Sequence, residues 1–89
     1  MNLQELLADI HSLEEDLLAF ERRYGVRSET FYAAYASGEE PLDPGWVLDF
    51  TEWAGVYRTR LERQSAYRNE IQRRQLHPHS LEGLIRVAS

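Results

Sequence analysis

The sequence contains no cysteine and no lysine among its 89 residues. The absence of cysteine excludes disulfide bonds, thiolate metal sites and cysteine nucleophiles, and it favours a reducing compartment. A long apolar run is also missing: no segment approaches the roughly 20 apolar residues of a membrane-spanning helix, and none has the form of a secretory signal. These absences predict a cytoplasmic protein without a membrane segment.

The charged residues are unevenly distributed along the chain. Residues 1–57 contain twelve acids and three arginines, a formal charge of −9, whereas residues 58–89 contain three acids and seven arginines, a charge of +4. All basic residues are arginine, which pairs with carboxylates through two hydrogen bonds and stacks on aromatic rings. A G+C-rich genome explains the same usage without a function. The chain is an electrostatic dipole along its sequence, and its acidic part suits a basic partner.

The first segment has the pattern of a long amphipathic helix. Asn2 and Glu5 form a capping box at its start. Gly25, at its end, suits the left-handed conformation that terminates many helices. Between them, apolar residues recur at spacings of three and four, like an a/d seam of three heptads: Leu3, Leu6, Ile10, Leu13, Leu17, Phe20 and Tyr24. We expect one apolar face and one acidic, solvated face.

A short second helix is expected after this corner. Ser28 suits an N-cap, and Ser37-Gly38 stops the segment. A helix of two to three turns is not stable alone in water. Its aromatic side chains must therefore hold it against the rest of the protein.

A third, longer helix begins after a loop. Asp43 is the expected cap, Pro44 the first helical residue, and Leu42 and Val47 the two members of a hydrophobic staple. Its apolar stripe consists of Trp46, Phe50, Trp53, Tyr57 and Leu61. Polar residues occupy the stripe after Leu61, which predicts that the second half of this helix leaves the core of its own subunit.

These elements predict a single all-α domain over residues 1–76, a helical hairpin of two long helices with a short aromatic helix between them. A domain of this size buries a modest core, so a second copy forming a dimeric bundle, or a bound partner, is a plausible source of stability. Pro78 breaks the third helix. Residues 77–89 are expected to form a tail that is either flexible or docks on a partner.

No motif indicates an enzyme. Asp49 and Glu52 lie one turn apart at the start of the third helix, but acids in a first turn also complement the helix dipole. No nucleophile, metal triad or phosphate-binding glycine loop accompanies them. His77 and His79 have no acid beside them and offer too few donors for a metal site. We therefore predict no enzymatic activity, no cofactor and no metal.

An arginine-rich segment raises the alternative of nucleic-acid binding, because contacts to phosphate dominate such affinity. Six arginines lie between residues 58 and 74. On a helical wheel they fall at about 0°, 60°, 140°, 160°, 200° and 280°, so they surround the helix instead of forming a stripe. Nucleic-acid binding by the third helix is therefore a less favoured alternative.

The predicted corner has the sequence F-E-R-R-Y-G-V-R-S-E-T-F-Y at 20–32, and it is followed by a G-E loop at 38–39 and by D-F-T-E-W-A at 49–54. This pattern resembles a group of small, largely uncharacterised prokaryotic proteins, some of which are encoded as the antitoxin half of toxin–antitoxin pairs. The matching positions are Phe20, Glu21, Tyr24, Gly25, Ser28, Phe31, Tyr32, Asp49, Phe50, Glu52 and Trp53. The loop EEPLDPGWVL is longer than the spacer of these proteins, and the tail LIRVAS has no counterpart in them.

The resemblance implies a non-enzymatic protein that neutralises a partner, its cognate toxin, by direct binding. The candidate partner contacts are aromatic, charged and tail residues: Tyr32, Tyr35, Asp49, Glu52, Trp53, Arg60, Arg68, Leu81, Leu84 and Ile85. The aromatic residues are also expected in the core that joins the helices. A homo-oligomeric structural module, in which the Leu3 to Tyr24 seam pairs with its copy across a dimer axis, is the alternative from a different class.

Overall fold

The computed structural model describes residues 1–74, except for the side chain of Arg74. Helices α1 (Leu3–Tyr24), α2 (Ser28–Ala36) and α3 (Val47–Arg74) follow one another, and a 3₁₀ turn at Pro44–Trp46 precedes α3. These residues contain no strand, and the most extensive contact is between the two long helices. The predicted all-α hairpin with a short helix between is confirmed. None of the helices up to residue 74 is long and apolar enough to cross a membrane. The predicted tail, 77–89, lies outside the described residues.

Both ends of α1 agree with the sequence prediction. The Asn2 side chain accepts a hydrogen bond of 2.8 Å from the backbone N–H of Glu5, a donor that has no partner within the helix. At the other end, Gly25 adopts the left-handed conformation with φ 71°. Its N–H donates to the carbonyl of Glu21 at 2.8 Å. Gly25 therefore sets the corner between α1 and α2.

The two glycines 25 and 55 are expected to respond to alanine in opposite directions. Gly25→Ala should lower the free energy of unfolding by about 1 kcal/mol, because a Cβ strains the left-handed backbone. Gly55 lies within α3, and a Cβ added there meets no atom within 4 Å. Gly55→Ala should raise the free energy of unfolding by about 0.5–1 kcal/mol. Urea unfolding followed by circular dichroism measures both changes, and equal signs would contradict this assignment.

Helix α2 is capped differently from the prediction. Ser28 is its first residue and is 1% exposed, and the residue before it makes no side-chain capping bond. The cap is Glu21 of α1, whose Oε2 accepts hydrogen bonds from the Ser28 N–H at 3.0 Å and from its hydroxyl at 2.7 Å. A carboxylate suits a helix N-terminus because N–H groups are free there and the dipole is positive. One side chain thus joins α1 to α2.

The start of α3 agrees with the prediction in part. The Asp43 side chain accepts a hydrogen bond of 2.8 Å from the N–H of Gly45, and Pro44 follows it as the first residue of the 3₁₀ turn. The predicted staple is wrong, because Leu42 is 95% exposed and Val47 is 48% exposed. A staple requires the spacing of a full α-helical turn, and the tighter 3₁₀ turn replaces it here.

Helices α1 and α3 are antiparallel, and their opposite charges meet. Arg60 pairs with Glu14 at 3.2 Å and Arg63 pairs with Asp9 at 2.8 Å. No described residue of α3 after Ala54 is buried, which agrees with the prediction that the second half of this helix leaves the core, but this half is not free, because Arg63 holds it against α1. The uneven charge of the sequence becomes a contact within one chain. Leu61, predicted in the buried stripe, is 43% exposed.

The apolar seam of α1 faces the interior of its own chain. Leu3, Leu6, Ile10 and Leu17 are all buried. A helix face that is already covered cannot pair with a second copy without opening the hairpin. The buried residues of the Leu3 to Tyr24 seam are thus covered by their own chain.

Candidate functional site

The three helices meet around the indole ring of Trp53, which is 1% exposed. Phe31 of α2 stacks on it with ring centroids 3.8 Å apart and planes within 1°. Phe20 and Tyr24 of α1 also stack with it, at centroid distances of 5.5 and 5.7 Å. The indole Nε1 donates a hydrogen bond of 2.9 Å to the hydroxyl of Ser28. We call these residues, together with Glu21, the joint.

Hydrogen bonds cross the joint from one long helix to the other. Trp53 donates to Ser28, and Ser28 donates in turn to Glu21, so the buried indole nitrogen and the buried hydroxyl both have hydrogen-bond partners. Burial acts to raise the pKa of Glu21. The hydrogen bonds from Ser28 and the positive charges of Arg27 and Arg60 outweigh it, and they hold this pKa below its usual value.

The lowered pKa of Glu21 predicts a loss of stability in acid. A carboxyl whose pKa falls on folding stabilises the native state above its unfolded pKa, and the contribution disappears as the pH falls through the folded value. The wild type should therefore be more stable than Glu21→Gln by the full amount above the usual pKa of a glutamate, 4.5, and this difference in stability should shrink at lower pH. Thermal melts of both proteins from neutral to strongly acidic pH test this. A constant difference across the series would contradict it.

A second polar contact closes the joint from the side of α3. The Tyr24 hydroxyl donates a hydrogen bond to Asp49, and Arg23 pairs with the same carboxylate at 3.0 Å. The hydrogen bond to Asp49, helped by burial, raises the pKa of Tyr24 above its usual value. Glu52 is exposed. Asp49 thus has a structural role at the joint, which explains this acid without catalysis.

The corner pattern of the sequence corresponds to this joint. Gly25 turns the chain, and Tyr32 extends the ring contacts by stacking on Tyr57 at 4.8 Å. Phe50 contacts the rings of Phe31 and Trp53 edge-on. Except for the exposed Glu52, every matching position contributes to the corner or to its packing. The pattern therefore describes how the helices are held together.

An open groove of about 800 Å³ lies beside the joint, between α2, the following loop and the start of α3. We call it the joint groove. Its floor is aromatic: Tyr24, Phe31, Tyr35, Trp46, Phe50 and Trp53. Loop residues 39–42 and the end of α1 form its walls. The joint is thus both the core of the fold and the floor of a surface cavity.

Exposed apolar side chains cluster around the joint groove. Leu42 is 95% exposed on its wall, and Val26 and Trp46, which also line the groove, are each 38% exposed. Single exposed apolar residues are ordinary, but a cluster beside a cavity is typical of a binding surface.

The charge on the wall of the joint groove is acidic. Glu39 and Glu40 are exposed and make no ion pair with any residue up to 74. Asp49 also lines the groove, where Arg23 balances its charge. An apolar floor with unpaired carboxylates on the wall favours a ligand that is both apolar and cationic.

The predicted contact residues are separated by the fold. Tyr35, Asp49 and Trp53 line the joint groove, although Trp53 is so deeply buried that it serves the core. Arg60 and Arg68 lie on the second half of α3, and Arg60 is paired with α1. Tyr32 packs on α3, and Glu52 is exposed near the start of that helix. The tail residues Leu81, Leu84 and Ile85 lie outside the described residues.

Sequence reasoning missed the residues that form the walls of the joint groove. It assigned Leu42 to a staple and treated Glu39 and Glu40 as ordinary loop residues. A usable signal was present, since an acidic loop that also carries apolar residues is unusual for a simple connection. Within the described chain, no group of three or more histidines and acids is placed to hold a metal ion.

Comparison of the chain with protein-family models, curated proteins and solved structures finds no match. The resemblance of the corner pattern to antitoxin-like proteins therefore stays a prediction. The joint and the joint groove are the features from which a function can be inferred.

Proposed function

We propose that the protein is a non-enzymatic protein-binding module, in the manner of an antitoxin that neutralises its cognate toxin, and that the joint groove holds an apolar, cationic segment of the partner. The observation that carries this proposal is a cavity with an aromatic floor, an exposed leucine on its wall, and two wall acids that form no ion pair with a described residue. No reaction is assigned to it, because the carboxylate Asp49 within it is held by Tyr24 and Arg23.

The size and lining of the joint groove suit side chains of a partner protein. Its volume of about 800 Å³ accommodates several apolar side chains. Tryptophan and tyrosine at such a surface provide contact area with little loss of conformational entropy, which is why they dominate interface energies. An amphipathic helix that places its apolar face in a groove is one common way to meet these requirements.

The charges support a cationic partner segment over a nucleic acid. The groove wall is acidic, so it repels phosphate and attracts arginine or lysine side chains. On α3, Arg60, Arg63 and Arg73 each pair with a carboxylate of the same chain. Positive charge that is already neutralised contributes little to phosphate binding.

Co-expression with the protein encoded by the adjacent reading frame tests the proposal. We expect the two proteins to purify as a complex, and the growth defect caused by the neighbour to be relieved. Leu42→Lys removes an exposed apolar side chain from the wall and adds a positive charge that opposes a cationic segment, so it should abolish both effects. Ala19→Lys adds the same charge on the exposed outer side of α1 and should preserve them.

Two results would contradict the proposal in different ways. Absence of both a complex and a rescue of growth with the wild type would remove the cognate-toxin function. A complex that tolerates Leu42→Lys as well as Ala19→Lys would retain a binding function but place it outside the joint groove.

A further inference from the structure

A second groove runs between α1 and α3 at the end of the hairpin that is remote from the joint. Its volume is about 620 Å³. We call it the side groove. Leu7, Ile10 and Glu14 are among its residues on α1, and Tyr67, Arg68 and Ile71 on α3. It shares no residue with the joint groove, so an inference from it is independent of the proposed function.

Apolar side chains continue both walls of the side groove. Leu18 follows Leu7 by eleven residues, or three helical turns, and Leu61 precedes Arg68 by seven, or two turns, so each lies on the same stripe as its wall. Leu18 and Leu61 are both 43% exposed. The walls therefore extend as two half-exposed apolar stripes along the hairpin.

Helix α2 covers part of this side of the hairpin. Tyr32 of α2 stacks on Tyr57 of α3, which lies one turn before Leu61 on the same stripe. The stripe is thus covered by α2 as far as Tyr57. Beyond it, at Leu61 and along the side groove, no helix of residues 1–74 lies over the stripe.

We propose that a second copy of the chain covers the side groove, giving a two-fold symmetric bundle of four long helices. Two-helix hairpins have one side free for such packing, and a core formed by two copies compensates for the small core of each. Symmetric pairing requires a surface that is complementary to itself. The side groove meets this requirement because its α3 wall carries Arg68 and its α1 wall carries Glu14. Glu14 pairs with Arg60 of its own chain through Oε2, and a carboxylate can accept hydrogen bonds from a second arginine as well.

The charges select the second copy over other occupants. Arg68 makes no ion pair with a described residue, and two-fold symmetry that brings the α1 wall of one copy to the α3 wall of the other sets Glu14 and Arg68 in one interface. The joint groove cannot pair with its own copy, because its wall has an excess of acidic residues, and the two acidic walls would repel each other. The two grooves thus suit two different partners.

Size-exclusion chromatography with light scattering on the full chain tests this assignment. We expect a dimer for the wild type. Leu61→Glu buries an unpaired charge in the proposed interface and should raise the dimer dissociation constant at least roughly 100-fold, with helical content unchanged. Leu48→Glu is the matched control, because Leu48 is 82% exposed at the start of α3, outside both grooves, and its replacement should leave the dimer intact.

Each remaining outcome has a definite meaning. If Leu61→Glu proves unfolded, Arg68→Glu, which changes an exposed side chain, should still weaken the dimer. A wild type that is monomeric at all concentrations overturns the proposal. If, in addition, Leu61→Glu lowers the melting temperature of this monomer, a segment of the same chain covers the side groove. A dimer that is lost with Leu48→Glu and kept with Leu61→Glu would place the interface at the start of α3 and overturn the proposal.

Discussion

Trp53→Ala is expected to lower the free energy of unfolding by about 3–5 kcal/mol, which approaches the whole stability of a small domain. Trp53 is 1% exposed, and its ring stacks with Phe20, Tyr24 and Phe31. Its removal leaves a large cavity and deprives Ser28 of a donor. Because α1, α2 and α3 all meet at this ring, the loss affects every contact of the joint.

Urea unfolding followed by far-ultraviolet circular dichroism measures this loss. Trp53→Phe is the informative control, because it keeps one aromatic ring for stacking but removes the five-membered ring of the indole and the N–H that it donates to Ser28. We expect it to cost about 2 kcal/mol, more than the loss of a buried hydrogen bond alone and less than the loss of the whole side chain. An alanine variant as stable as the phenylalanine variant would show that the joint does not depend on the stacked ring.

Trp46→Ala is expected to have the opposite profile, with a large loss of binding and a small loss of stability. Trp46 lies on the floor of the joint groove, is 38% exposed, and contacts Tyr24 and Phe50 at the edge of the ring cluster. An exposed tryptophan in a groove is a typical energetic anchor of an interface. We expect the dissociation constant for the partner to rise at least about 30-fold, and the free energy of unfolding to fall by about 1 kcal/mol.

Isothermal titration calorimetry with the co-purifying partner and urea unfolding provide the two measurements for Trp46→Ala. The two tryptophans lie seven residues apart, so the comparison keeps the residue type and the region of the chain constant. If Trp46→Ala binds like the wild type, its ring is not an anchor of the interface. If it unfolds like Trp53→Ala, the groove floor is an inseparable part of the core.

The helices were predictable because their signals are local. Asn2 and Gly25 mark the ends of α1 through their own backbone geometry, and Asp43-Pro44 marks the start of the next helical segment. The apolar periodicity of α1 identified the face that Leu6 and Ile10 bury. Each of these inferences depends on residues within a few positions of one another.

The joint was not predictable in the same way, because its contacts join distant residues. Glu21 and Ser28 are seven positions apart, and Ser28 and Trp53 are 25 apart. Ser28 was predicted to be an N-cap because serine is common at that position, but a carboxylate from another helix caps α2 instead. A periodic pattern identifies the buried face of a helix and leaves open which side chain of another element meets it.

Errors also arose where charge and loop geometry decide the structure. The apolar periodicity predicted that the second half of α3 leaves the core and is free, whereas ion pairs of Arg60 and Arg63 hold this helix against α1. Leu42 was assigned to a staple, and the 3₁₀ turn leaves it exposed instead. The joint groove depends on this loop, so its walls were the part of the site that the sequence could not define.

The same charge reversal, made on two different surfaces of the protein, tests most directly where the partner binds. The double variant Glu39→Lys, Glu40→Lys reverses the wall of the joint groove, and Glu15→Lys, Asp16→Lys makes the same change on the exposed face of α1. Calorimetry with the co-purifying partner should show that the first raises the dissociation constant at least about 30-fold and the second less than about threefold. Equal effects of the two variants, or no effect of the first, would contradict binding at the joint groove.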